Sequence, residues 1–359
     1  IPDIFGLPTS TLLPSSVSKT LSKETLEPSF ASILFTKSFW SFSTLNRLDN
    51  ILSDLNSKDK SRIKIVYHDL KSEINPWIKK EIGKIDIILH LAAGSHVDRS
   101  IDYPMEFILD NVVGTGNILE FARSINNSSR LERFIYFSTD EVFGPAPKGI
   151  DYKENDRYNS TNPYSATKAG GEELAVAYEN TYNLPVYITH TMNVFGERQH
   201  PEKFIPKCII SSRDGKQVEI HSNKNKTKAG MRHYIHAIDV ADACLFLIKN
   251  NLKIKYKIKK DFGGAKCPKF NVVGPVELDN LKLAKMIAKS VGKKLRYKMV
   301  DFHSSRPGHD LRYSLSGKLM KNLGWKPKVS IENRIDEVVK WTLKNNRWLM
   351  NKLVKSLKN

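Results

Sequence analysis

The chain has 359 residues, of which 40% are hydrophobic and 26% are charged, values that are ordinary for a folded globular protein. It contains no run of eighteen consecutive apolar residues, so no membrane-spanning helix is predicted. The formal net charge is +19, but much of the lysine excess lies in loop-like runs at 224–228 and 253–260 without aromatic interleaving or a DNA-binding pattern. This composition disfavours a nucleic-acid partner and suits an anionic small substrate.

The N-terminal segment 1–30 is rich in Ser, Thr and Pro and poor in acidic residues, which predicts a disordered or aberrant arm. It lacks the tripartite pattern of a secretion signal, and its low content of basic residues argues against an organelle address. The first residue is Ile rather than Met, which favours a fragment or an altered reading frame.

From residue 60 onward, strand-like apolar runs alternate with helical periodicity. Residues 63–67 alternate and are β-branched, and residues 85–91 form the nearly continuous apolar run that is typical of a buried parallel strand. The predicted elements, in chain order, are strands at 63–67 and 85–91, a helix at 104–124, a strand at 134–137, a helix at 164–182, a strand at 186–189, and helices at 277–292 and 330–347. Strands that alternate with helices indicate βαβ units and a parallel sheet covered on both faces.

Two polar motifs follow the central strands of this pattern. Ser138-Thr139-Asp140-Glu141 comes directly after a buried strand, and ligands in such sheets bind beyond the carboxyl ends of the strands. Tyr164 and Lys168 open the next helix four residues apart, which places them on one face. A lysine ammonium beside a phenol lowers the pKa of the phenol and makes it a base near neutral pH. Tyr-x-x-x-Lys alone is a weak signal, since a tyrosine at a helix start is usually a packing residue.

The combination of these motifs with Asn162-Pro163 and Asn193-Val194-Phe195-Gly196 is specific, and it resembles the extended short-chain dehydrogenase/reductase family over about residues 46–350. The resemblance implies an α/β fold with a Rossmann-like doubly wound parallel sheet and a smaller C-terminal substrate-binding lobe. It implies a dinucleotide-binding core with the catalytic residues at 31–195 and a mainly substrate-binding lobe at 196–350, with some segments returning to the core sheet. The implied ligands are NAD and a nucleotide-sugar.

Within that family, the Thr-Asp-Glu triplet resembles the 4,6-dehydratases that act on dTDP-glucose and its relatives. The resemblance implies that Tyr164 takes the 4-hydroxyl proton, that Thr139 hydrogen-bonds this hydroxyl, and that Lys168 also holds the nicotinamide ribose. The resemblance also implies that Asp140 is the acid and Glu141 the base. Two neighbouring carboxyl groups in different surroundings can divide these roles. Epimerases and decarboxylases of the same family stay as alternatives, disfavoured by the acidic pair.

The resemblance also assigns binding residues. Asp69 and Leu70 would meet adenine, and the cofactor would pass the strand end at Leu91, Ala92 and Ala93, together with Tyr164 and Lys168. Small residues there allow a close approach of the backbone. The implied substrate contacts are Ser95, Val97, Asp98, Asn193, Lys203, Phe204, Arg232 and Arg306. The planar donors of arginine match the oxygens of a diphosphate in pairs. His96 is a less favoured base, since Tyr164 already fills that role.

The first βαβ unit is degenerate. A dinucleotide site of this kind needs a glycine-rich turn after its first strand, yet no glycine occurs between Gly6 and Gly83. Residues 32–36 fit a remnant of that strand, and the bulky segment 37–43 follows. Three interpretations stay open: an altered reading frame, which we favour, a catalytically impaired nucleotide-sugar-binding homologue, or NAD binding by another route. The sequence as it stands predicts weak NAD affinity.

Two final predictions concern assembly and location. The helices at 104–124 and 164–182 resemble the family's four-helix interface, which predicts a homodimer. The three cysteines, Cys208, Cys244 and Cys267, are scattered without zinc spacing. We therefore predict no metal site and a reducing, cytoplasmic setting.

Overall fold

The computed structural model of the protein describes residues 31–36, 49–128, 131–250, 254, 267–301 and 311–345. The predicted arm at 1–30, the bulky segment 37–43 and the late motif with Arg306 lie outside the described residues. Two compact units divide the chain. One contains residues up to Val142 together with Asn162–His190 and Leu247–Phe270, and the other contains Phe143–Thr161, Thr191–Phe246 and the residues from Asn271 onward.

The strands are β1 (Ala31–Thr36), β2 (Ile63–His68), β3 (Ile87–His90), β4 (Arg133–Thr139), β5 (Val186–Thr191), β6 (Val194–Phe195), β7 (Val218–Ser222), β8 (Met231–His233), β9 (Ile235–His236), β10 (Lys269–Val272), β11 (Glu277–Asp279) and β12 (Tyr297–Asp301). The α-helices are α1 (Asp49–Asp54), α2 (Ser57–Ser61), α3 (Pro76–Ile82), α4 (Val97–Asp102), α5 (Pro104–Ile108), α6 (Gly114–Ser128), α7 (Pro163–Tyr182), α8 (Phe204–Arg213), α9 (Ala237–Lys249), α10 (Asn280–Val291), α11 (Lys318–Leu323) and α12 (Ile331–Lys344). Within these ranges, no helix is both long and apolar enough to cross a bilayer.

A four-stranded sheet in the order β10-β5-β4-β3 forms the centre of the first unit. β3 pairs with β4 in parallel, with Ile87 opposite Arg133, and β1 pairs with β2 in parallel, with Ala31 opposite Ile63. All seven residues of β4 are buried, as expected for a central strand covered on both faces. The strands predicted at 63–67, 85–91, 134–137 and 186–189 are confirmed, and so is the remnant strand at 32–36.

The hydrophobic core of the first unit joins strands and helices that are distant in sequence. Val66 of β2, Ile88 of β3, Phe134 of β4 and Ile188 of β5 pack in one cluster with Leu119 of α6. Burial of such side chains contributes about 1.5–3 kcal/mol each relative to exposure. The core therefore fixes the carboxyl ends of the strands, where the predicted site residues lie.

The helix predicted at 104–124 is confirmed as one helical run over 104–128, and its period changes at residues 109–113. α5 leads into a π-helical turn at Leu109–Val113, and α6 begins only at Gly114. The side chain of Asn111, inside the turn, bonds to Gly94 of a neighbouring loop rather than to its own helix. The hydroxyl of Thr115 donates to the Asn111 carbonyl at 2.6 Å. Such π turns widen a helix locally and frequently mark functional sites.

The helix predicted at 277–292 begins three residues late. Glu277–Asp279 forms β11, which pairs antiparallel with β8. The carboxylate of Asp279 accepts from the backbone N of Lys282 at 2.8 Å, so it caps α10. Asp279 is both the last residue of the strand and the cap of the helix. Periodicity alone therefore does not show where the strand ends and the helix begins.

The second unit has its own core. Ile209 of α8, Ile287 of α10 and Val339 of α12 are buried in one cluster with Ile220 of β7. β7 pairs in parallel with β12, and β6 pairs in parallel with β9. The predicted C-terminal helix at 330–347 is confirmed as α12, whose start is capped by the hydroxyl of Ser330. The boundary predicted at residue 195 stays a prediction.

Close packing between α7 and the π turn depends on Gly171. A Cβ at this position would lie 2.7 Å from the carbonyl oxygen of Asn111 and 2.5 Å from the hydroxyl of Tyr136. We expect G171A to lower the free energy of unfolding by about 1–3 kcal/mol, because the Asn111 carbonyl oxygen belongs to the helix backbone and cannot move aside. Urea unfolding measures this change.

The matched control is G116A on α6, where an added Cβ meets nothing within 4 Å. Since alanine is the better helix former, this variant is expected to be unchanged or up to about 1 kcal/mol more stable. Equal destabilisation by the two variants would contradict the packing argument for Gly171.

Candidate active site

The carboxyl end of β4 presents the Thr-Asp-Glu triplet. Thr139 is the last residue of the strand, and Asp140 and Glu141 open a 3₁₀ turn at Asp140–Phe143. The Thr139 hydroxyl donates to Asp140 Oδ1 at 3.1 Å and accepts from the backbone N of Glu141 at 3.3 Å. Thr139 and Asp140 are buried and Glu141 is half-buried. The triplet is therefore fixed at the strand end, where ligands bind in such sheets.

The start of α7 is strongly capped. The side chain of Asn162 accepts from the backbone N of Ser165 at 2.9 Å, and the backbone N of Asn162 donates to Ser165 Oγ at 3.3 Å, which completes a capping box. Pro163 occupies the first helical position, where its missing N–H costs nothing. Asn162 Nδ2 also donates to Glu141 Oε2 at 3.2 Å. The cap thus orients one catalytic candidate and begins the helix that carries two others.

Tyr164 lies beside the acidic pair. Its side chain shares a hydrogen bond with Thr139, and the charges of Glu141 and Asp140 both act on its hydroxyl. The ring packs against Val97 and Phe107 and is only 6% exposed. The structure therefore brings the predicted phenol and the two predicted carboxyl groups together at one sheet edge.

The prediction of a lowered pKa for Tyr164 is wrong for this structure. Burial raises the pKa of the phenol well above its ordinary value, the Glu141 charge adds to this, and the Thr139 hydrogen bond opposes it. The prediction considered only the lysine one turn along the helix. It left out the burial of the ring and the negative charges of the neighbouring strand end.

Lys168 is wholly buried, with 1% of its surface exposed. Its Nζ lies 4.3 Å from the ring centroid of Tyr136, whose hydroxyl donates to the Lys168 carbonyl at 3.0 Å. Burial lowers the pKa of Lys168 to about 7, against the raising effect of Glu172. The ammonium group therefore changes its charge within the physiological pH range.

The predicted adenine contacts follow β2. Asp69 Oδ1 accepts from the backbone N of Lys71 at 3.1 Å, and its other oxygen is 3.8 Å from Lys71 Nζ. The side chain of Leu70 is buried in the core, and its carbonyl accepts from Asn117 Nδ2 at 2.7 Å. Asp69 is therefore at the strand end, whereas the Leu70 side chain points inward.

Leu91, Ala92 and Ala93 follow β3 and are half-buried. The next residue, Gly94, is held by Asn111: its N–H donates to Asn111 Oδ1 at 2.7 Å, and Asn111 Nδ2 donates to its carbonyl at 3.0 Å. Sequence reasoning missed Asn111 as a positioning residue. A polar residue followed three positions later by Gly, in the middle of an apolar helix, was the available signal.

The predicted sugar contacts of the first unit lie at the start of α4, with Ser95 just before the helix and Val97 and Asp98 as its first residues. Ser95 and Asp98 are half-buried, and Val97 is buried against Tyr164. Ser100 was not predicted, yet its hydroxyl accepts from the backbone N of Tyr164 at 3.0 Å and donates to the Val97 carbonyl at 2.6 Å. It therefore links α4 to the start of α7.

The remaining predicted contacts belong to the second unit. The Asn193 carbonyl accepts from the backbone N of Ile235 at 3.2 Å. Lys203 precedes α8, and Phe204 packs against the core of that unit. The Arg232 guanidinium lies 4.5 Å over the ring of Tyr313. Its Nη1 donates to the Met231 carbonyl at 2.7 Å and to the Leu311 carbonyl at 2.9 Å. These contacts fix the arginine head.

A dinucleotide fits the strand ends that the structure describes. Ala92 and Ala93 are small and half-buried beyond β3, so their side chains would let a ligand approach the backbone closely. Ser138 Oγ is buried at the end of β4 and has no hydrogen-bond partner among the described residues. The turn after β1, which would meet the phosphates, is outside them. Across these same residues, no group of three or more His, Cys, Asp or Glu side chains is arranged to hold a metal ion.

Comparison with known proteins identifies the family. Residues 26–338 match the family described as GDP-mannose 4,6 dehydratase. A dTDP-glucose 4,6-dehydratase of Streptomyces niveus is 36% identical over 264 residues, which are 73% of this chain and 71% of that protein. The trifunctional UDP-glucose 4,6-dehydratase/UDP-4-keto-6-deoxy-D-glucose 3,5-epimerase/UDP-4-keto-L-rhamnose-reductase of Arabidopsis thaliana is 34% identical over 312 residues, which are 85% of this chain and 43% of that protein.

Among solved structures, DesIV, a dTDP-glucose 4,6-dehydratase from Streptomyces venezuelae crystallised with NAD and TYD, has a TM-score of 0.73 and 28% identity over 90% of this chain and 91% of that chain. The chain therefore belongs to the GDP-mannose 4,6 dehydratase family, within the extended short-chain dehydrogenases/reductases. The fold class and the family predicted from the motifs are confirmed.

Proposed function

We propose that the protein is an NAD-dependent nucleotide-sugar 4,6-dehydratase, a lyase that converts an NDP-glucose to the NDP-4-keto-6-deoxy sugar. The observation that carries the proposal is the convergence of a phenol, a threonine hydroxyl and two carboxyl groups at the end of β4. An epimerase or decarboxylase needs the phenol but has no use for the acidic pair. The names of the relatives point the same way.

The residues that would hold the cofactor are Asp69, Ala92 and Ala93 at the strand ends, with Lys168 at the nicotinamide ribose. When bound, NAD⁺ accepts a hydride from C4 of the hexose and returns it at C6, and its positive charge favours the ionised phenol. Lys168 contributes a second positive charge when it is protonated. The charges of NAD⁺ and Lys168 would lower the pKa of Tyr164. Burial of the ring and the carboxylates of Glu141 and Asp140 raise it and otherwise keep the phenol neutral.

Tyr164 takes the proton of the 4-hydroxyl, while Thr139 fixes that hydroxyl by a hydrogen bond. The resulting 4-ketone acidifies the proton on C5. Glu141 removes this proton, and Asp140 protonates the C6 hydroxyl, so that one water molecule leaves as the C5–C6 double bond forms. When the hydride returns to C6, Glu141 would give its proton back to C5, and the proton held by Tyr164 would restore Asp140. Asp140 is buried and Glu141 half-buried, so different surroundings support different roles for the two carboxyl groups.

We assign hexose contacts to Ser95, Val97 and Asp98. The residues assigned to the nucleotide diphosphate are Asn193, Lys203, Arg232 and Arg306, and Phe204 is assigned to the nucleotide. The nucleotide is dTDP or UDP, and both occur in the names of the relatives.

Product analysis tests the function. The full chain is incubated with NAD and either dTDP-glucose or UDP-glucose, and the products are separated by chromatography. We expect a 4-keto-6-deoxy sugar, which absorbs strongly in alkali. A C4 epimer or a decarboxylated pentose would overturn the proposal. Binding without turnover would instead favour the catalytically impaired homologue, whose supporting feature is the glycine-poor segment after β1.

We also propose a homodimer. Apolar side chains are exposed along α4, α5 and the π turn, and the largest exposure is that of Met105, at 63%. The other members of this patch are Ile101, Tyr103, Ile108, Leu109 and Val113. Contiguous exposed apolar surface of this kind usually marks a protein–protein interface, and a twofold axis lets one patch cover its own copy.

Introducing charged side chains into this apolar patch tests the dimer. Sedimentation of the unchanged protein is expected to give about twice the chain mass of 40.9 kDa. M105E together with L109E is expected to give the single-chain mass, because a buried unpaired charge disfavours the interface. The control is M231E, at an exposed methionine of the second unit. A single-chain mass for the unchanged protein would contradict the proposal.

The cysteines support a cytoplasmic location. All three are free, and all three are buried. Free thiols are typical of reducing compartments, where glutathione keeps them from pairing. Fractionation of cells that express the chain tests this assignment.

A further inference from the structure

Lys168 has a buried cluster of polar side chains on the side away from the helix start. The cluster consists of Glu172 on α7, His190 on β5 and Lys269 on β10. Glu172 Oε1 lies 2.9 Å from Lys269 Nζ, and Glu172 Oε2 lies 3.1 Å from His190 Nε2. The side chains of Glu172 and His190 are completely buried, and that of Lys269 is 16% exposed. The mechanism described above uses none of these three groups.

Helical spacing connects this cluster to the active site. Tyr164, Lys168 and Glu172 follow one another at intervals of four residues, so they share one face of α7, one turn apart. The charge of Glu172 acts on Lys168 in the direction that favours the ammonium form. The order along the helix face is therefore phenol, ammonium and carboxylate. His190 and Lys269 contact the carboxylate from the neighbouring strands.

A wholly buried carboxylate is costly unless it is paired and hydrogen-bonded. Lys269 and His190 meet this need from two neighbouring strands. A wholly buried lysine is costly for the same reason, and burial alone would leave Lys168 neutral at neutral pH. Glu172 is the group that opposes this effect, so its own charge must be maintained by the strands behind it.

Other titratable groups surround the pair. His90 of β3 lies close enough for Lys168 to lower the pKa of its imidazole, although burial is the larger cause; together they bring it to about 3, so His90 is neutral. Tyr136 of β4 is kept neutral by burial and by the Glu172 charge. The thiol of Cys267 also faces Glu172, and burial chiefly raises its pKa. None of these three groups supplies a charge that replaces the carboxylate.

We propose that Glu172 is a positioning residue, whose buried carboxylate, held by His190 and Lys269, keeps Lys168 charged beneath the catalytic tyrosine. The charge of Lys168 then supports the phenolate of Tyr164 and the hold on the ribose. This part of the proposal rests on the proposed function. The electrostatic part concerns only residues of the chain itself and is testable without turnover.

The direct test is an NMR titration of Lys168. Lysine labelled with ¹³C at Cε is incorporated into the full chain, and the Lys168 resonance is assigned by its loss in K168M. In E172Q we expect the titration midpoint to move down by about one pH unit, because the opposite charge has gone while burial remains. E172D retains the charge and is expected to restore most of the midpoint.

The matched control is E173Q. Glu173 is the next residue on α7 and also faces Lys269, at 3.8 Å, but its side chain is 61% exposed. This variant is expected to leave the Lys168 midpoint unchanged. An unchanged midpoint in E172Q would overturn the proposal, whatever the activity of the protein.

Circular dichroism shows whether E172Q folds. If it does not, K269M is the variant that tests the proposal. K269M removes one of the two groups that maintain the Glu172 charge, so the carboxyl group takes up a proton more readily and the Lys168 midpoint is expected to fall. A rise or no change would overturn the proposal. In active enzyme, the alkaline limb of the pH profile of kcat/KM is expected to shift with the Lys168 titration midpoint in each variant. A purely structural role of Glu172 would lower kcat/KM at every pH without shifting that limb. Absence of turnover in the unchanged chain would count against the proposed function and leave the NMR result to decide the role of Glu172.

Discussion

Replacing Tyr164 by Phe is expected to reduce kcat for dehydration by about 10²–10⁴-fold, the usual contribution of a positioned acid–base group. The variant removes the hydroxyl that shares a hydrogen bond with Thr139 and on which the charges of Glu141 and Asp140 act. The ring would stay in place, because its contacts are with Val97 and Phe107. Steady-state kinetics with dTDP-glucose and UDP-glucose measures the change, and KM is expected to change much less than kcat.

The control for Y164F is Y178F on the same helix. The hydroxyl of Tyr178 bonds to Glu120, away from the strand end, so its removal is expected to leave kcat unchanged. Unfolding in urea should show little loss of stability in either variant. If Y164F retained full activity, the phenol would be a packing residue and the proposed base would have to be another group.

The local parts of the site could be predicted from the sequence. A buried strand followed by Thr139 and Asp140 places these residues at the sheet edge, and the four-residue spacing of Tyr164 and Lys168 places them on one helix face. Both conclusions depend only on the period of a strand or a helix and on which strands are buried. The structure places Thr139 at the end of β4 and both Tyr164 and Lys168 in the first two turns of α7.

The parts that depend on contacts between distant segments could not be predicted. The π-helical turn around Asn111 and the bonds of its side chain to the loop after β3 are examples, since periodicity carries no information on that loop. The pKa of Tyr164 was predicted in the wrong direction for a similar reason. Burial of the ring and the charge of Glu141, in the turn after β4, raise the pKa of the phenol.

The segment after β1 shows the same limit. The strand itself was predictable from its apolar run, and its parallel pairing with β2 is confirmed over six residues. The absence of glycine in the residues that follow is a fact of the sequence, and these residues lie outside the described part of the chain. The prediction of weak NAD affinity therefore stays a prediction, and calorimetry with NAD tests it.

The acidic pair is expected to divide the later steps, so that E141Q and D140N stop the reaction at different points. In E141Q the C5 proton has no acceptor. Hydride transfer from C4 should still occur, so absorbance near 340 nm should accumulate on addition of the nucleotide-sugar, with no deuterium entering C5 in D₂O. Product formation is expected to fall by about 10²–10⁴-fold.

In D140N the proton acceptor remains and the acid is lost. Deuterium should therefore enter C5, while loss of the C6 hydroxyl becomes the slow step and product formation again falls by about 10²–10⁴-fold. The control is E132Q, at an exposed glutamate just before the opposite end of β4, which should leave all three readouts unchanged. Isotope exchange read by mass spectrometry separates the two variants. If both blocked C5 exchange equally, the carboxyl groups would act as one unit, and the assignment of Asp140 as acid and Glu141 as base would be wrong.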